Sequence, residues 1–496
     1  MNHILLFGAG KSATVLINYL SQLTEEKKWQ VTIADGNAEL LAQKVIPTSF
    51  VTSTLINIED ANSRQALIEQ ANVVISMMPP TLHYLIALDC ITYKKHLLTA
   101  SYIDEKIKAL ASSIQENNLL FLCEMGLDPG IDHMSAMKLI DEIKNKGGNI
   151  ASFKSHCGGL IAPESDDNPW HYKISWNPKN IILAGKAGAI YRSNNQVKEI
   201  DYKNLFNTKN TILTPTEVLY AYYANRDSLG YINLYGLENI QDFLRTTLRH
   251  PEFIAGWKNI VDLQLTNEEK VYDTNNMTIA NFFQAHFKKH GFEKWIVDMM
   301  DKKLLLTTEM MEEITNWMKV EEQAAEVGEI SNEEFLTVDE NGNLQTSNIN
   351  KSAKFLANSI HDVNISLQQL FFLGLEDHTP INLGLCSAAD VLQFILERKL
   401  ALQPTDKDLV VMMHEIEYEL NNNSHKVISY LELKGDNHLI TAMAKTVGLP
   451  LGIAAKLIIE KEITITGLHI PIVKEIYTPV LNALKLEGIE FDEKEI

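Results

Sequence analysis

At roughly 150 residues per domain, 496 residues suggest about three domains. The composition, 45% hydrophobic and 22% charged, excludes a disordered, collagenous or coiled-coil chain. Lys and Arg number 44 against 64 Asp and Glu, a net charge of −20, which leaves no electrostatic footprint for nucleic acid or anionic lipid. The four cysteines, at 90, 123, 157 and 386, form no CxxC pair, so a disulfide framework is excluded and zinc or redox-dithiol chemistry has no support. The N-terminal string MNHILLFGAG lacks a basic region followed by a long apolar stretch, and no run of 18 apolar residues occurs. The expectation is a cytoplasmic protein without membrane or nucleic-acid partners.

The first 130 residues alternate strand and helix patterns. Apolar runs at Ile4–Phe7, Val31–Ala34, Val73–Ile75, Leu97–Thr99 and Leu119–Cys123 read as buried strands. Ala13, Leu16, Ile17 and Leu20 recur at helical spacing, Pro80 suits a first helical turn, and Ile103–Asn118 is helix-favouring. Short continuous apolar strands between helices predict a parallel sheet covered on both faces. Asp132–Lys146 reads as an amphipathic helix stopped at Gly147-Gly148. Met310–Val327, halted at Gly328, is the clearest helix of an acidic middle region. Asp339–Asn350 reads as a loop; Asp339, Asn341 and Asn343 faintly resemble a calcium loop, but Leu344 holds the position that requires Gly. Ile416, Tyr418 and Leu420 alternate with Glu415, Glu417 and Glu419, and the Asn421–Ser424 turn leads to Val427–Leu433. That pattern predicts a hairpin in a second, antiparallel α+β region with one wet face.

Gly8-Ala9-Gly10-Lys11-Ser12-Ala13 fits G-x-G-x-x-G/A directly after a strand and at a helix start. The first Gly permits the tight turn, the second lets backbone approach a pyrophosphate, and Ala13 allows close helix–strand packing. The helix N-terminus presents free N–H groups to phosphates. Asp35 ends the second strand, where a carboxylate accepts hydrogen bonds from ribose hydroxyls and repels a 2′-phosphate; Gly36-Asn37-Ala38-Glu39 supplies no cation. The expected cofactor is therefore NAD, with NADP second. Ligands in such sheets bind beyond the carboxyl ends of the strands, here Ser76-Met77-Met78, Ala100-Ser101-Tyr102 and Glu124–Pro129.

The strings TASYI around Ser101-Tyr102, EMGLDPGIDHM from Glu124, CGGLIAPESDDNPWHYKISW from Cys157, NRDS from Asn225, TLRH from Thr247, AMAKTVGLP from Ala442 and KEIYTPVL from Lys474 resemble the glutamate-forming saccharopine dehydrogenases (saccharopine reductases). They run in one order over nearly the whole chain, and the likeness leans toward the dehydrogenase half of the bifunctional animal enzymes, which use NAD; the fungal biosynthetic form uses NADP. The resemblance implies oxidation of saccharopine, a secondary amine with three carboxylates, to an imine that water hydrolyses to glutamate and 2-aminoadipate 6-semialdehyde. It also implies a homodimer. The implied architecture is a Rossmann-type doubly wound sheet (1–131 and 440–496), an α+β substrate and dimerisation domain (132–250 and 366–439) and a helical insert (251–365).

By the same resemblance, Ser101, Tyr102, Asp128, Arg226, Thr247 and Arg249 bind substrate. Lys11, Ser12, Ser76, Met77, Ala100, Leu127, Asp128 and Trp176 join Gly8, Gly10, Ala13 and Asp35 at the cofactor. Arginine suits a tricarboxylate because its planar fork binds bidentately. A base poised near working pH is required; the candidates are Asp128 first, then Tyr102 and Cys157. His133 reads as a helix cap or packing residue, and His83, His96 and His414 as ordinary histidines. His156, Ile161, Ala224, Thr246 and His250 depart from the family pattern beside these residues, which leaves fine substrate preference open. The alternatives are a related dehydrogenase acting on a carboxylated polyamine and an inactive NAD-sensing homologue.

Overall fold

The computed structural model describes residues 1–327, 334–338 and 344–495. The first half of the chain opens with β1 (His3–Phe7), α1 (Thr14–Lys27), β2 (Gln30–Asp35), α2 (Ala38–Lys44), β3 (Val51–Leu55), α3 (Ala61–Gln70), β4 (Val73–Ser76), α4 (Pro80–Thr92), β5 (His96–Thr99), α5 (Glu105–Lys108), α6 (Ala111–Glu116) and β6 (Leu120–Leu122). A second group follows: α7 (Ile131–Asn145), β7 (Asn149–Ile161), α8 (Pro178–Leu183), β8 (Ala189–Ser193), β9 (Gln196–Ile200), α9 (Tyr202–Leu205), β10 (Thr211–Leu213), β11 (Leu219–Ala224), β12 (Arg226–Asp227), α10 (Gly230–Leu234) and β13 (Asp242–Arg249). The middle of the chain holds α11 (Pro251–Asp262), β14 (Tyr272–Asp273), α12 (Ile279–His290), α13 (Trp295–Val327), β15 (Glu334–Val338), β16 (Leu344–Asn348), α14 (Ile349–Leu373), β17 (Leu385–Cys386) and α15 (Ala388–Lys399). The chain closes with β18 (Asp408–Leu420), β19 (Asn423–Lys434), α16 (Ala442–Ile459), β20 (Gly467–His469), α17 (Lys474–Leu486) and β21 (Asp492–Glu495).

These elements divide into two compact units. One contains residues 1–166, 172–250 and 400–496; the other contains 167–171 and 251–399. The first unit is built on two sheets. One is parallel throughout, in the order β20-β6-β5-β4-β1-β2-β3, and its strand order reverses between β1 and β4, the crevice where doubly wound sheets take ligands. The edge strand β3, Val-Thr-Ser-Thr-Leu with a mostly exposed surface, has no apolar run and is absent from the sequence reading. The other sheet runs β10-β11-β13-β7-β18-β19-β21. The expected hairpin is its β18–β19 pair, closed at Leu420↔Asn423, but the sheet is mixed rather than antiparallel, because β13 runs parallel to β7.

The chain returns to the parallel sheet through α16. This helix is apolar and long enough to cross a membrane, yet 78% of it is buried. It packs on α1 at Gly448 and Gly452, where a Cβ would stand 3.0 Å from the Leu16 side chain and 2.6 Å from the Tyr19 ring; Ala442, Ala444, Ala454 and Ala455 are fully buried. Its N-terminus lies inside the protein, so its free N–H groups need partners. Asp408, at the start of β18 and fully buried, accepts from the N–H groups of Ala442 (2.6 Å) and Met443 (3.0 Å), and Thr441 accepts from that of Ala444 (2.9 Å).

In the second unit, Trp170 meets Phe253 and Trp257 edge-on, and the Gln369 amide donates to the carbonyls of Pro169 and Glu252. This unit runs on to Lys399 instead of ending at the 365/366 boundary expected from sequence, because α14 continues through that point and packs on α11 and α15. Part of the segment expected to be a loop, Leu344–Asn348, pairs with Glu334–Val338; Gly328 and the Asp339, Asn341 and Asn343 positions lie outside the described residues.

The cap on α16 yields a stability prediction. Asp408→Ala leaves two buried N–H groups without acceptors and should lower unfolding free energy by about 2 kcal/mol, against about 1 for Thr441→Ala, as measured by urea denaturation.

Candidate active site

The glycine turn after β1 lies at the reversal point. Gly8 has φ +102°, and a Cβ there would stand 3.0 Å from the Met77 backbone. Gly10 is different: a Cβ would meet nothing within 4 Å, so the backbone is open on that side. Lys11–Ala13 forms a single 3-10 turn leading into α1, with Ser12 partly exposed and Ala13 buried. Beside this turn a cavity of about 440 Å³ is lined by Asp35, Gly36, Leu55, Ile56, Ile58 and Met78, an apolar slot of a size suited to a planar ring.

Asp35 does not stand free at its mouth. One oxygen accepts from the Ala9 N–H (2.6 Å) and the other from the Asn37 N–H (2.8 Å). The Lys44 ammonium, at the end of α2, donates to the Gly10 carbonyl (2.5 Å). Burial pulls its pKa down to about 8, with Asp35 opposing and Lys11 adding to that shift. A cation therefore stands beside the glycine turn.

Beyond β4 and β5, His83 links two of the expected cofactor positions: its ring nitrogens meet Ser76 Oγ and Ser101 Oγ, each at 2.8 Å. Burial lowers its pKa to about 4, so the ring is neutral at physiological pH and orients both hydroxyls. Met77 and Ala100 are partly exposed beside these serines, whereas Leu127 is buried.

The loop after β6 carries the densest chemistry. Arg245, only 3% exposed on β13, donates from one terminal nitrogen to Asp128 (2.6 Å) and Asp132 (2.7 Å), and its guanidinium lies 4.5 Å from the centre of the Tyr231 ring. Tyr102 OH donates to Asp128 at 3.5 Å, and Arg226 covers the Tyr102 ring at 5.1 Å. Beneath them, Glu124 meets His133 (2.9 Å) and Tyr231 OH (3.1 Å), and His133 meets Tyr235 OH (2.6 Å). Burial pushes Asp128 up to about 6, against the pull of Arg245 and with repulsion from Asp132. Burial also drives the Tyr102 phenol upward, helped by Asp128. The Cys157 thiol is pushed far up by burial and then by Asp128 and Asp132, so it stays protonated, and its candidacy as a base is withdrawn.

Strand alternation places Arg245, Thr247 and Arg249 on one face of β13, with Cys157 beside Thr247 on β7. Arg249 donates to the Leu248 carbonyl (2.8 Å) and lies over Tyr172 at 5.3 Å; Trp176 donates to that Tyr172 hydroxyl (3.2 Å). Arg226 is exposed, with φ +51°. Three departures from the family pattern fall in one cross-strand row, Ala224↔Thr246↔His156. His156 Nδ1 meets Thr246 Oγ1 at 2.7 Å, on the face opposite Arg245 and Thr247. They accommodate one another and do not line the arginine face. His250 likewise packs edge-on to Tyr220.

The sequence reading did not include Arg245 or Lys44, named Glu124 only as the start of the loop after β6 and Asp132 only as a helix start, and dismissed His83. Arg245 and Asp132 carried a legible signal, the first two positions before Thr247 on the same strand and the second inside the Glu124–Met134 string. Lys44 carried none.

Two family models match the chain: the saccharopine dehydrogenase NADP binding domain over residues 4–122 and the saccharopine dehydrogenase C-terminal domain over residues 126–489. The alpha-aminoadipic semialdehyde synthases of Arabidopsis thaliana and, as the mitochondrial protein, Rattus norvegicus are 29% and 30% identical over 99% of this chain. The chain spans about half the length of these relatives, 44% and 47%. Saccharopine dehydrogenase [NADP(+), L-glutamate-forming] of Saccharomyces cerevisiae is 27% identical over 100% of this chain and 99% of its own length. The solved apo structure of saccharopine dehydrogenase (L-Glu forming) from that yeast superposes with a TM-score of 0.76 at 25% identity, covering 100% of both chains.

These matches correct the expectation of NAD: the matching nucleotide domain is an NADP binding domain, and the full-length fungal relatives are named for NADP(+). The physical reason is in the fold. The stretch Gly36–Glu39 carries no cation, but α2 brings Lys44 back to the glycine turn, and Asp35 is engaged by two backbone N–H groups. From the nucleotide turn to the second sheet, the chain belongs to the saccharopine dehydrogenase family.

Proposed function

We propose that this protein oxidises saccharopine to L-glutamate and 2-aminoadipate 6-semialdehyde with NADP. The observation that carries the reading is the grouping of Asp128, Tyr102 and Arg245 at the carboxyl ends of the parallel strands, with Arg226 over Tyr102. A secondary amine bearing three carboxylates needs several cations and a base beside the carbon to be oxidised, and this site offers both.

Gly8, Gly10 and the start of α1 would receive the pyrophosphate, Lys44 and Lys11 the 2′-phosphate, and the Ile56–Met78 cavity the adenine. NADP bound there supplies the hydride acceptor. Ser76 and Ser101, held by His83, present hydroxyls at the ends of β4 and β5. Arg226, Thr247 and Arg249 engage substrate carboxylates, and Tyr102 donates beside them. Asp128 takes the proton from the substrate ammonium, so that the neutral amine can release hydride from its neighbouring carbon. Hydride loss leaves a protonated imine. Asp128, having passed its first proton to solvent, takes one from the water that adds to the imine carbon and returns it to the nitrogen. The C–N bond breaks as the carbinol O–H proton leaves, giving the amine of glutamate and the aldehyde.

NADPH formation from saccharopine as the sole amine, compared with other secondary amines, tests the assignment; absence of turnover removes it. Lys44→Ala should raise the KM for NADP at least about tenfold, the loss of one charge-assisted phosphate contact, with kcat little changed. Because Asp128 must be ionised to act and its pKa is raised to about 6, kcat/KM for saccharopine should fall about tenfold per pH unit below about pH 6, and Asp128→Asn should abolish that limb together with most of the activity.

A further inference from the structure

A terminal guanidinium nitrogen has two hydrogens, and on Arg245 one is directed to each of two carboxylates, at 2.6 and 2.7 Å. The two acids are not equivalent. Asp132 also accepts the Gly130 N–H at 2.6 Å through its other oxygen and lies 3.8 Å from His133. Among the described residues Asp128 has only long contacts besides Arg245: Tyr102 OH at 3.5 Å and the Asn225 amide at 3.4 Å. Through the Gly130 N–H, Asp132 also ties down the tight loop that carries Asp128, in which the Gly126 N–H donates to the Pro129 carbonyl.

A carboxylate paired with its own buried arginine stays ionised and is a poor base. One arginine shared by two acids leaves one negative charge uncompensated, so the acid with fewer other partners takes a proton most readily. Of the remaining groups around Asp128, His133 and the Tyr102 hydroxyl add pulls smaller than that of Arg245. Arg226 faces Tyr102, Cys157 on β7 is a neutral thiol, Tyr231 and Tyr235 on and beside α10 are phenols, and His133 is already engaged with Glu124.

We propose that Asp132 is a positioning residue for the reaction: by claiming part of the Arg245 charge and anchoring the Gly126–Gly130 loop, it keeps Asp128 in place yet able to accept a proton. The role of Asp128 as the base rests on the functional reading above; the charge division does not.

The test is a carboxyl titration of the full chain labelled with ¹³C-aspartate, in which the resonance absent from Asp128→Asn is that of Asp128. In the unmodified protein Asp128 should titrate while Asp132 remains ionised; the reverse order overturns the proposal without recourse to any further variant. Asp132→Asn keeps an acceptor for Gly130 but removes the charge, and should lower the Asp128 midpoint by about one pH unit. Arg245→Gln should raise it. An unmoved midpoint in either folded variant, or an upward shift in Asp132→Asn, overturns the proposal. The acid limb of kcat/KM for saccharopine should follow the midpoint in Asp132→Asn, which a purely structural role would not produce. Absence of saccharopine turnover in the unmodified protein instead counts against the substrate reading, with the titration still deciding the charge division.

Discussion

Arg245 carries a charge that cannot be discharged at physiological pH into a position only 3% exposed. Such a group is tolerated only when its partners compensate for lost hydration, and removing one of them typically costs about 3–5 kcal/mol. Its partners come from the loop after β6 and the first turn of α7, while Arg245 itself belongs to the second sheet. The pair of contacts therefore joins the parallel sheet to the mixed sheet at the place where the chemistry is gathered. Tyr231 on its face and the Glu124–His133–Tyr235 chain below extend that polar group into the core.

The second sheet separates chemistry from accommodation by strand alternation alone. On β13, odd-numbered residues from Arg245 to Arg249 share the face of Cys157, while Thr246 and Leu248 share the face of His156 and the small apolar cluster with Val411 and Met413. A change at an even position is met by a change at its even neighbour, as Thr246 is met by His156. Departures that look adjacent to the site in sequence thus lie on the other side of a sheet. Glu415, held down to about 2 by its contact with His156 (3.4 Å) and then by Lys426, lies two residues along β18 from Met413, the neighbour of His156 in this row, at a distance from the arginine face.

The cofactor end illustrates a limit of local reading. A carboxylate at the end of β2 and a cation-free stretch after it argue for ribose recognition, and each observation is correct as far as it goes. The cation arrives one helix later, and the carboxylate spends its oxygens on Ala9 and Asn37.

Local pattern in the amino-acid sequence determined the glycine turn, five of the seven parallel strands, the β18–β19 hairpin and the identity of the family, because each depends on contiguous residues or on period-two and helical spacing. Edge strand β3, half exposed and without an apolar run, was not legible, nor was the parallel approach of β13 to β7. Only the tertiary structure decided which nitrogen is shared by Asp128 and Asp132, that Lys44 stands beside Gly10, and that His83 joins Ser76 to Ser101. Those are meetings of side chains far apart along the chain, and their distances are set by how sheets and helices pack, which no local spacing encodes.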